Sequence, residues 1–249
     1  MSGHSKWAQI KRQKGANDAK RGQMFTKVGR EITIAARAGG GDPDSNYRLR
    51  LALLKAKQIN MPQENVKRAI ERGTGGGEGA VLEETTYEGY GPGGVAFLIE
   101  VATDSRNRTA AEIRNVFSKS AGNLGSNGSV AWMFEPRGVV TVEGKASQLD
   151  DLALAAIDMG ALDFKVDDAG LEIYTEVGDL HKVRESLEKQ KANITSAERA
   201  MIPNSTVPLE DDTAVKVLRL ADHLEELDDV QKVYFNAEIS AGAMEKYAG

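Results

Sequence analysis

A chain of 249 residues, 41% hydrophobic and 28% charged, with no cysteine and a net charge of −5, has the composition of a soluble globular protein long enough for two or three domains. The missing cysteines exclude disulfides and thiolate metal sites, and no window approaches the roughly 18 apolar residues of a membrane span. The net charge conceals a division: residues 1–72 carry 16 Lys and Arg against 6 Asp and Glu, a net of +10, and residues 73–249 carry a net of −15. Such an asymmetry points to a polyanionic partner, against the plainer alternative of a solvated basic helix. The first forty residues lack an apolar h-region and Ser2 follows Met1, so neither a secretory signal nor N-myristoylation is expected and the cytoplasm is the default location.

Residues 3–16 have weak periodicity and read as a basic arm. Asn17 and Asp18 supply an N-cap and an early acid for a helix reaching about Ala38. On it Phe25, Val28, Ile32 and Ala35 share one face, with Lys20, Lys27, Arg30 and Arg37 roughly opposite, free for solvent or a ligand. Gly39-Gly40-Gly41-Asp42-Pro43 ends that helix. A second helix is expected over about Ser45–Ile59, with Leu49, Leu53 and Ala56 spaced for burial. A third starts after Asn60-Met61-Pro62, with Val66, Ala69 and Ile70 inward and Gly73 suited to the C′ position. Three short helices make a small bundle.

Gly73-Thr74-Gly75-Gly76-Gly77-Glu78-Gly79 reads as a linker and the clearest domain boundary. After it a strand, helix, strand pattern occurs four times. It covers Val95–Val101, Thr109–Ser120 and Ser129–Phe134, then Gly138–Val142, Gln148–Met159 and Phe164–Val166. Next come Leu171–Thr175, Leu180–Lys191 and Ile194–Ala200, and last Thr206–Leu209, Asp212–Leu227 and Val233–Ile239. Four half-units fit two split βαβ domains of the ferredoxin-like type. They can pair in sequence, or one domain can sit inside the other. The tight Asp167-Asp168-Ala169-Gly170 hairpin centres residues 138–202 on one turn and favours nesting slightly.

Gly89-Tyr90-Gly91-Pro92-Gly93-Gly94 matches G-x-G-x-x-G as a string. A dinucleotide site needs a strand before it and a helix after it, whereas here a strand follows, so the run is read as a glycine-shaped turn. Thr103-Asp104-Ser105-Arg106-Asn107-Arg108-Thr109 lies at a helix start, where two arginines and free amides can hold an anion or simply cap and solvate. The acidic doublets at 150–151, 167–168, 211–212, 225–226 and 228–229 fall where caps and turns call for them. His4, His181 and His223 form no ligand pair, and no G-x-S-x-G elbow is present. Catalysis, cofactor and metal therefore have no support. In the arm, Lys6, Lys11, Arg12 and Lys14 surround Trp7, and Lys20 and Arg21 follow. The cations suit backbone phosphates, while Trp7 can stack on an unpaired base or pack on the bundle.

The segments Gly3-His4-Ser5-Lys6-Trp7-Ala8, Asp18-Ala19-Lys20-Arg21-Gly22, Phe25-Thr26-Lys27, Tyr87 through Gly94, Thr103 through Thr109, Asn123-Leu124-Gly125 and Gly128 through Phe134 resemble, in order and along nearly the whole chain, those of the YebC family. Gln9, Arg12 and Gln13 depart from its pattern but keep the arm basic and polar. The resemblance implies an α+β multidomain fold, a three-helix N-terminal domain followed by two ferredoxin-like (split βαβ) domains, one inserted in the other. The expected units are residues 1–80, 81–134 plus 205–243, and 135–204. It also implies a cytoplasmic, non-enzymatic, DNA-binding transcriptional regulator, although related members, including the mitochondrial translational activator of cytochrome c oxidase, act in translation. The alternative is thus a translation factor on ribosomal or messenger RNA. The expected nucleic-acid-binding residues are Lys6, Trp7, Lys11, Arg12, Lys14, Lys20, Arg21, Lys27, Arg30 and Arg37, with Arg106 and Arg108 as the second cluster. A monomer with no membrane contact is favoured.

Overall fold

The computed structural model describes residues 18–76, 81–144, 146–167 and 170–248. Helix α1 (Asp18–Gly39) is followed by α2 (Tyr47–Gln58) and α3 (Gln63–Gly73). Ile32, Ala35 and Ala36 of α1 pack on Leu49, Ala52 and Ala56 of α2 and on Val66 and Ala69 of α3, with Phe25, Val28 and Leu53 at the margin. The expected apolar stripe is therefore the one buried. Asn46 caps α2 by accepting from the Leu49 amide at 3.1 Å, and its Nδ2 donates to the Ala35 and Gly40 carbonyls, joining α2 to the end of α1. Gly73 is the last residue of α3 rather than a left-handed C′ position. A Cβ there would lie 2.4 Å from the Thr33 carbonyl oxygen of α1. The glycine is required by close helix approach, so Gly73→Ala is expected to cost about 1–3 kcal/mol through overpacking, read as a lower denaturant midpoint at unchanged slope. Thr74 and Gly76 close the helix onto Ile70 and Glu71, and the later linker residues 77–80 lie outside the described residues.

A hairpin opens the next unit: β1 (Glu83–Tyr90), a 3-10 turn at Pro92–Gly94, and β2 (Ala96–Thr103). Helix α4 (Arg106–Lys119) returns the chain to a short β3 (Asn123–Leu124), giving a split βαβ unit with β1 between β2 and β3. The chain then leaves this sheet. It builds β4 (Phe134–Glu143), α5 (Ala146–Asp158), β5 (Asp163–Asp167), β6 (Gly170–Thr175), α6 (Leu180–Lys189) and β7 (Asn193–Pro203). Their antiparallel order β5-β6-β4-β7 is the ferredoxin-like arrangement. The return path comprises β8 (Val207–Pro208), α7 (Asp211–Glu225), β9 (Val230–Phe235), β10 (Ala237–Glu238) and α8 (Ala241–Ala248); β9 completes the first sheet as β3-β1-β2-β9, and β10 pairs with β8. One α/β unit is thus inserted in the other.

Two expected strands change. Residues 129–130 form a bend and 131–133 a 3-10 turn, so the strand expected at Ser129–Phe134 starts only at Phe134. The segment expected as strand Thr206–Leu209 contributes two residues to a separate small ladder.

The continuous apolar run of β2 follows from burial on both faces. Val95, Phe97, Ile99 and Val101 face the core beneath α4 and α7 with Ile113, Phe117, Leu218 and Leu220. Ala96 and Leu98 face the other way and, with Tyr234, meet Val139, Tyr174 and Ala200 of the inserted sheet. The glycines of the G-x-G-x-x-G string serve this packing. A Cβ on Gly89 would strike Phe117 and the Asn123 carbonyl, one on Gly91 would strike Phe97, and Gly93 has φ +73° in the turn. The three units are also stitched by charge: Lys55 of α2 reaches Glu31 at 2.9 Å and Glu198 of β7 at 3.7 Å, and Lys232 of β9 reaches Glu198 at 2.6 Å.

Candidate nucleic-acid interface

The middle of the basic side of α1 is turned toward the protein itself, while Arg37 near its end stays exposed. Lys27 and Arg30, one turn apart, turn toward the corner where α7 ends and β9 begins. The Lys27 Nζ donates to the Glu225 carbonyl, and Gln23 Nε2 donates to the Glu226 carbonyl at 3.2 Å. These are terminal carbonyls of α7, where the helix dipole is negative and cations are favoured. Arg30 Nη1 donates to the Ala102 carbonyl at 2.7 Å and to Asp229 Oδ1. Near the other end of α1, Arg37 donates to the Leu82 carbonyl at 3.1 Å. The expectation of a free basic stripe is corrected on this point: part of the stripe is the joint between the helical unit and the α/β body.

Asp229 is the centre of that joint and is 2% exposed. Its Oδ2 accepts from Thr103 at 3.0 Å, Thr109 at 2.5 Å and Arg108 at 2.7 Å. Burial alone would raise its pKa, but hydrogen bonds from Thr109, Arg108 and Arg30 hold the carboxyl well below the usual carboxylate range. The Thr103–Thr109 segment is shaped to deliver these donors. Thr103 Oγ1 accepts from the Ser105 amide at 2.9 Å, which turns the chain into α4 and brings Thr109 and Arg108 round to the same carboxylate. Arg108 also pairs with Asp104 at 2.9 Å, and Arg106 Nε pairs with Glu83 at 2.8 Å. The cleft here is lined by Asp104, Glu112, Glu226, Asp228 and Asp229 against two guanidiniums, Arg30 and Arg108. A phosphate would meet more negative than positive charge.

The arm residues Lys6, Trp7, Lys11, Arg12 and Lys14 lie outside the described residues. Lys20 sits in the first turn of α1, and Arg21 is exposed with its guanidinium 5.8 Å from the Phe25 ring centroid. Exposed cations that the sequence reading left aside are Lys57 on α2 and Lys67, Arg68 and Arg72 on α3. Of the acidic doublets, 211–212 ties α7 to α8: Asp211 accepts from Ser240 at 2.6 Å and Asp212 pairs with Lys246 at 3.2 Å. Among the described residues, no group of three or more His, Asp or Glu side chains is placed to hold a metal ion.

A second buried carboxylate escaped the sequence reading. Glu88 of β1 is 4% exposed and accepts from the amides of Gly128 at 2.7 Å, Val130 at 2.6 Å and Ala131 at 2.7 Å. Burial would raise its pKa, yet the three amide donors bring it below its ordinary value. Together with the Tyr90 hydroxyl, which donates to the Ser129 carbonyl at 3.0 Å, Glu88 fixes the 125–133 loop. At the end of that loop Trp132 is 69% exposed. The signal that could have found it is the turn-forming run Gly125-Ser126-Asn127-Gly128-Ser129 immediately before, which is incompatible with a strand at 129.

The fold and its joints define a three-part α+β protein: a basic helical unit clamped by a buried aspartate to an acidic α/β body that carries an inserted ferredoxin-like unit. Residues 5–76 match the TACO1/YebC protein N-terminal domain, and residues 82–237 match the TACO1/YebC second and third domain. The chain belongs to the TACO1/YebC family. It is 58% identical over 249 residues to a "probable transcriptional regulatory protein" of Moorella thermoacetica, covering 99% of each chain. A protein of the same description from Dehalococcoides mccartyi is 53% identical over 247 residues, covering 99% of this chain and 98% of that one. The crystal structure of a conserved hypothetical protein from Aquifex aeolicus superposes with a TM-score of 0.82 at 46% identity, covering 90% of this chain and 92% of that one. No helix among the described residues is long and apolar enough to cross a membrane.

Proposed function

We propose that this chain is a cytoplasmic, non-enzymatic regulator of gene expression that binds nucleic acid through its N-terminal segment, as a DNA-binding transcriptional regulator. The observation that carries the reading is the net charge of +10 on residues 1–72 beside −15 on the remainder, in a family whose curated relatives are named as probable transcriptional regulators. Within residues 1–80 the contact falls to Lys6, Trp7, Lys11, Arg12 and Lys14, extended by Lys20 and Arg21. Lys27, Arg30 and Arg37 act one step back, holding the helical unit on the α/β body, because their polar ends already meet the protein's own carbonyls and carboxylates, while Arg106 and Arg108 are paired within that body, with Glu83 and with Asp104 and Asp229. The units 81–134 plus 205–243 and 135–204 supply the acidic body.

A second reading, a translation factor on ribosomal RNA, is favoured by one feature. With its basic side docked on α7, α1 is not presented as a major-groove reading helix, so backbone and single-strand contact suit it better than base-edge readout. The test is affinity for a labelled duplex and for RNA across a salt series. Affinity should fall steeply with salt, and charge reversal at Lys11, Arg12 and Lys14 should lower the slope by about one unit per lost phosphate contact. Affinity independent of salt sinks the whole reading, and ribosome co-sedimentation lost in the same variant selects the second form.

A further inference from the structure

We propose that Trp132 is a stacking platform for an unpaired nucleobase. The proposal rests on the nucleic-acid reading and adds to it a second contact, on the α/β body. Trp132 is the only aromatic among the exposed large hydrophobic residues in the described chain, at 69% exposure. Its one polar atom is already used: Nε1 donates to the Ser129 carbonyl at 3.2 Å. The indole therefore has no hydrogen bond to offer and presents only its π-face.

The ring is also held in advance. Glu88 fixes the amides of Gly128, Val130 and Ala131 just before it. Asn204 fixes the far side, its Nδ2 donating to the Trp132 carbonyl at 3.3 Å and its amide to the Met133 carbonyl at 2.8 Å. A partner stacking here meets a loop whose ordering cost was met on folding.

The surroundings decide the kind of partner. An indole that anchors a protein interface is normally set in a desolvated pocket with apolar neighbours. Trp132 instead has exposed Ser126, Asn127 and Asn204 in the loops beside it. An exposed π-face at the end of a loop of amides and hydroxyls suits a nucleobase, which stacks on the ring. The ring lies near the Tyr90 end of β1, and the Asp229 joint lies near the Glu83 end. Eight strand residues separate the two by roughly 23 Å, a span that about seven nucleotides cover at the duplex rise of about 3.4 Å and that fewer nucleotides cover in an extended unpaired strand.

The experiment uses the full chain. Affinities are measured with Trp7 in place, since it belongs to the proposed contact set, and emission is read in a Trp7→Phe background, where Trp132 is the sole indole of the two in the sequence. Each form is titrated with oligouridylate RNA, oligothymidylate DNA and a blunt duplex, each well beyond that length. Expected are quenching of Trp132 emission by the unpaired strands and a roughly 5- to 150-fold loss of their affinity in Trp132→Ala. Trp132→Phe should restore most of it, with duplex affinity and salt slope unchanged. Loss with RNA alone, DNA alone or both supports stacking and shows which strand is accepted. Equal affinity of the Ala variant for unpaired strands, or an equal loss with duplex, overturns stacking while leaving the nucleic-acid reading intact. No binding of any probe by the unsubstituted protein overturns both. If the Ala variant melts early, the quenching of the unsubstituted ring decides, since it needs no change at position 132.

Discussion

Replacing Asp229 with alanine should lower stability by about 3 kcal/mol, near the lower end of the cost of removing one member of a buried ion pair. The lower end applies because Arg108, one of the two guanidiniums left behind, is half exposed and can rehydrate. Arg30 is more enclosed, and the Thr103 and Thr109 hydroxyls lose the oxygen to which both donate. For a chain of this size the change corresponds to roughly 6–12 °C in the melting temperature of the transition that includes the helical unit. A double-mutant cycle pairing Asp229→Asn with Arg30→Met should show coupling above about 1 kcal/mol. Additive effects would mean that Arg30 does not clamp the helical unit.

The same joint sets an acid limit. The Asp229 pKa is depressed in the folded protein, so the unfolded chain binds the proton more readily and stability rises with pH through this range. The contribution is complete above the unfolded value of about 4 and drains away as pH falls below it toward the folded value. Glu88 is depressed in the same direction and adds to the loss. Asp229→Ala should therefore flatten the acid limb of a stability–pH curve. A limb of unchanged slope would place the depressed carboxylate elsewhere.

The helical unit was legible because its information is local. A 3.6-residue apolar period and a run of glycines suffice to place Ile32, Ala35 and Leu49 inward and to end α1. The inserted sheet was legible for a related reason: its strands and helices alternate at regular spacing around one hairpin. Fold-level nesting came from the resemblance, because spacing alone allowed two pairings. The joints were not legible, since each is a contact between distant residues. Asp229 looks like half of a turn doublet, and nothing within ten residues reveals that Thr103, Thr109 and Arg30 converge on it. The Lys27–Arg30 stripe has the composition of a ligand surface, and only the position of the α7 C-terminus shows that the protein itself occupies it. Gly73 failed in the other direction. A local rule for helix ends explained it, while the true constraint is the Thr33 carbonyl on a neighbouring helix.

Replacing Glu88 with alanine should have an effect of similar size and a different signature. The side chain accepts three backbone amides while buried. Hydrogen bonds to a charged group contribute about 1.5–3 kcal/mol each, and stranded donors cost more than bonds never made. Water reaching the opened loop can satisfy the Gly128 amide, which belongs to an exposed residue, but the buried Val130 is harder to hydrate. A net loss of about 3 kcal/mol follows. Glu88→Gln should recover little of it, because an amide nitrogen would be turned toward donors where a second oxygen is required. The signature is local: in the Trp7→Phe background, emission from Trp132 should shift and its anisotropy fall at temperatures well below the main transition, as the 125–133 loop loosens first. A variant that melts early with Trp132 anisotropy unchanged up to the transition would show that Glu88 supports the sheet alone and leaves the loop to Tyr90 and Asn204.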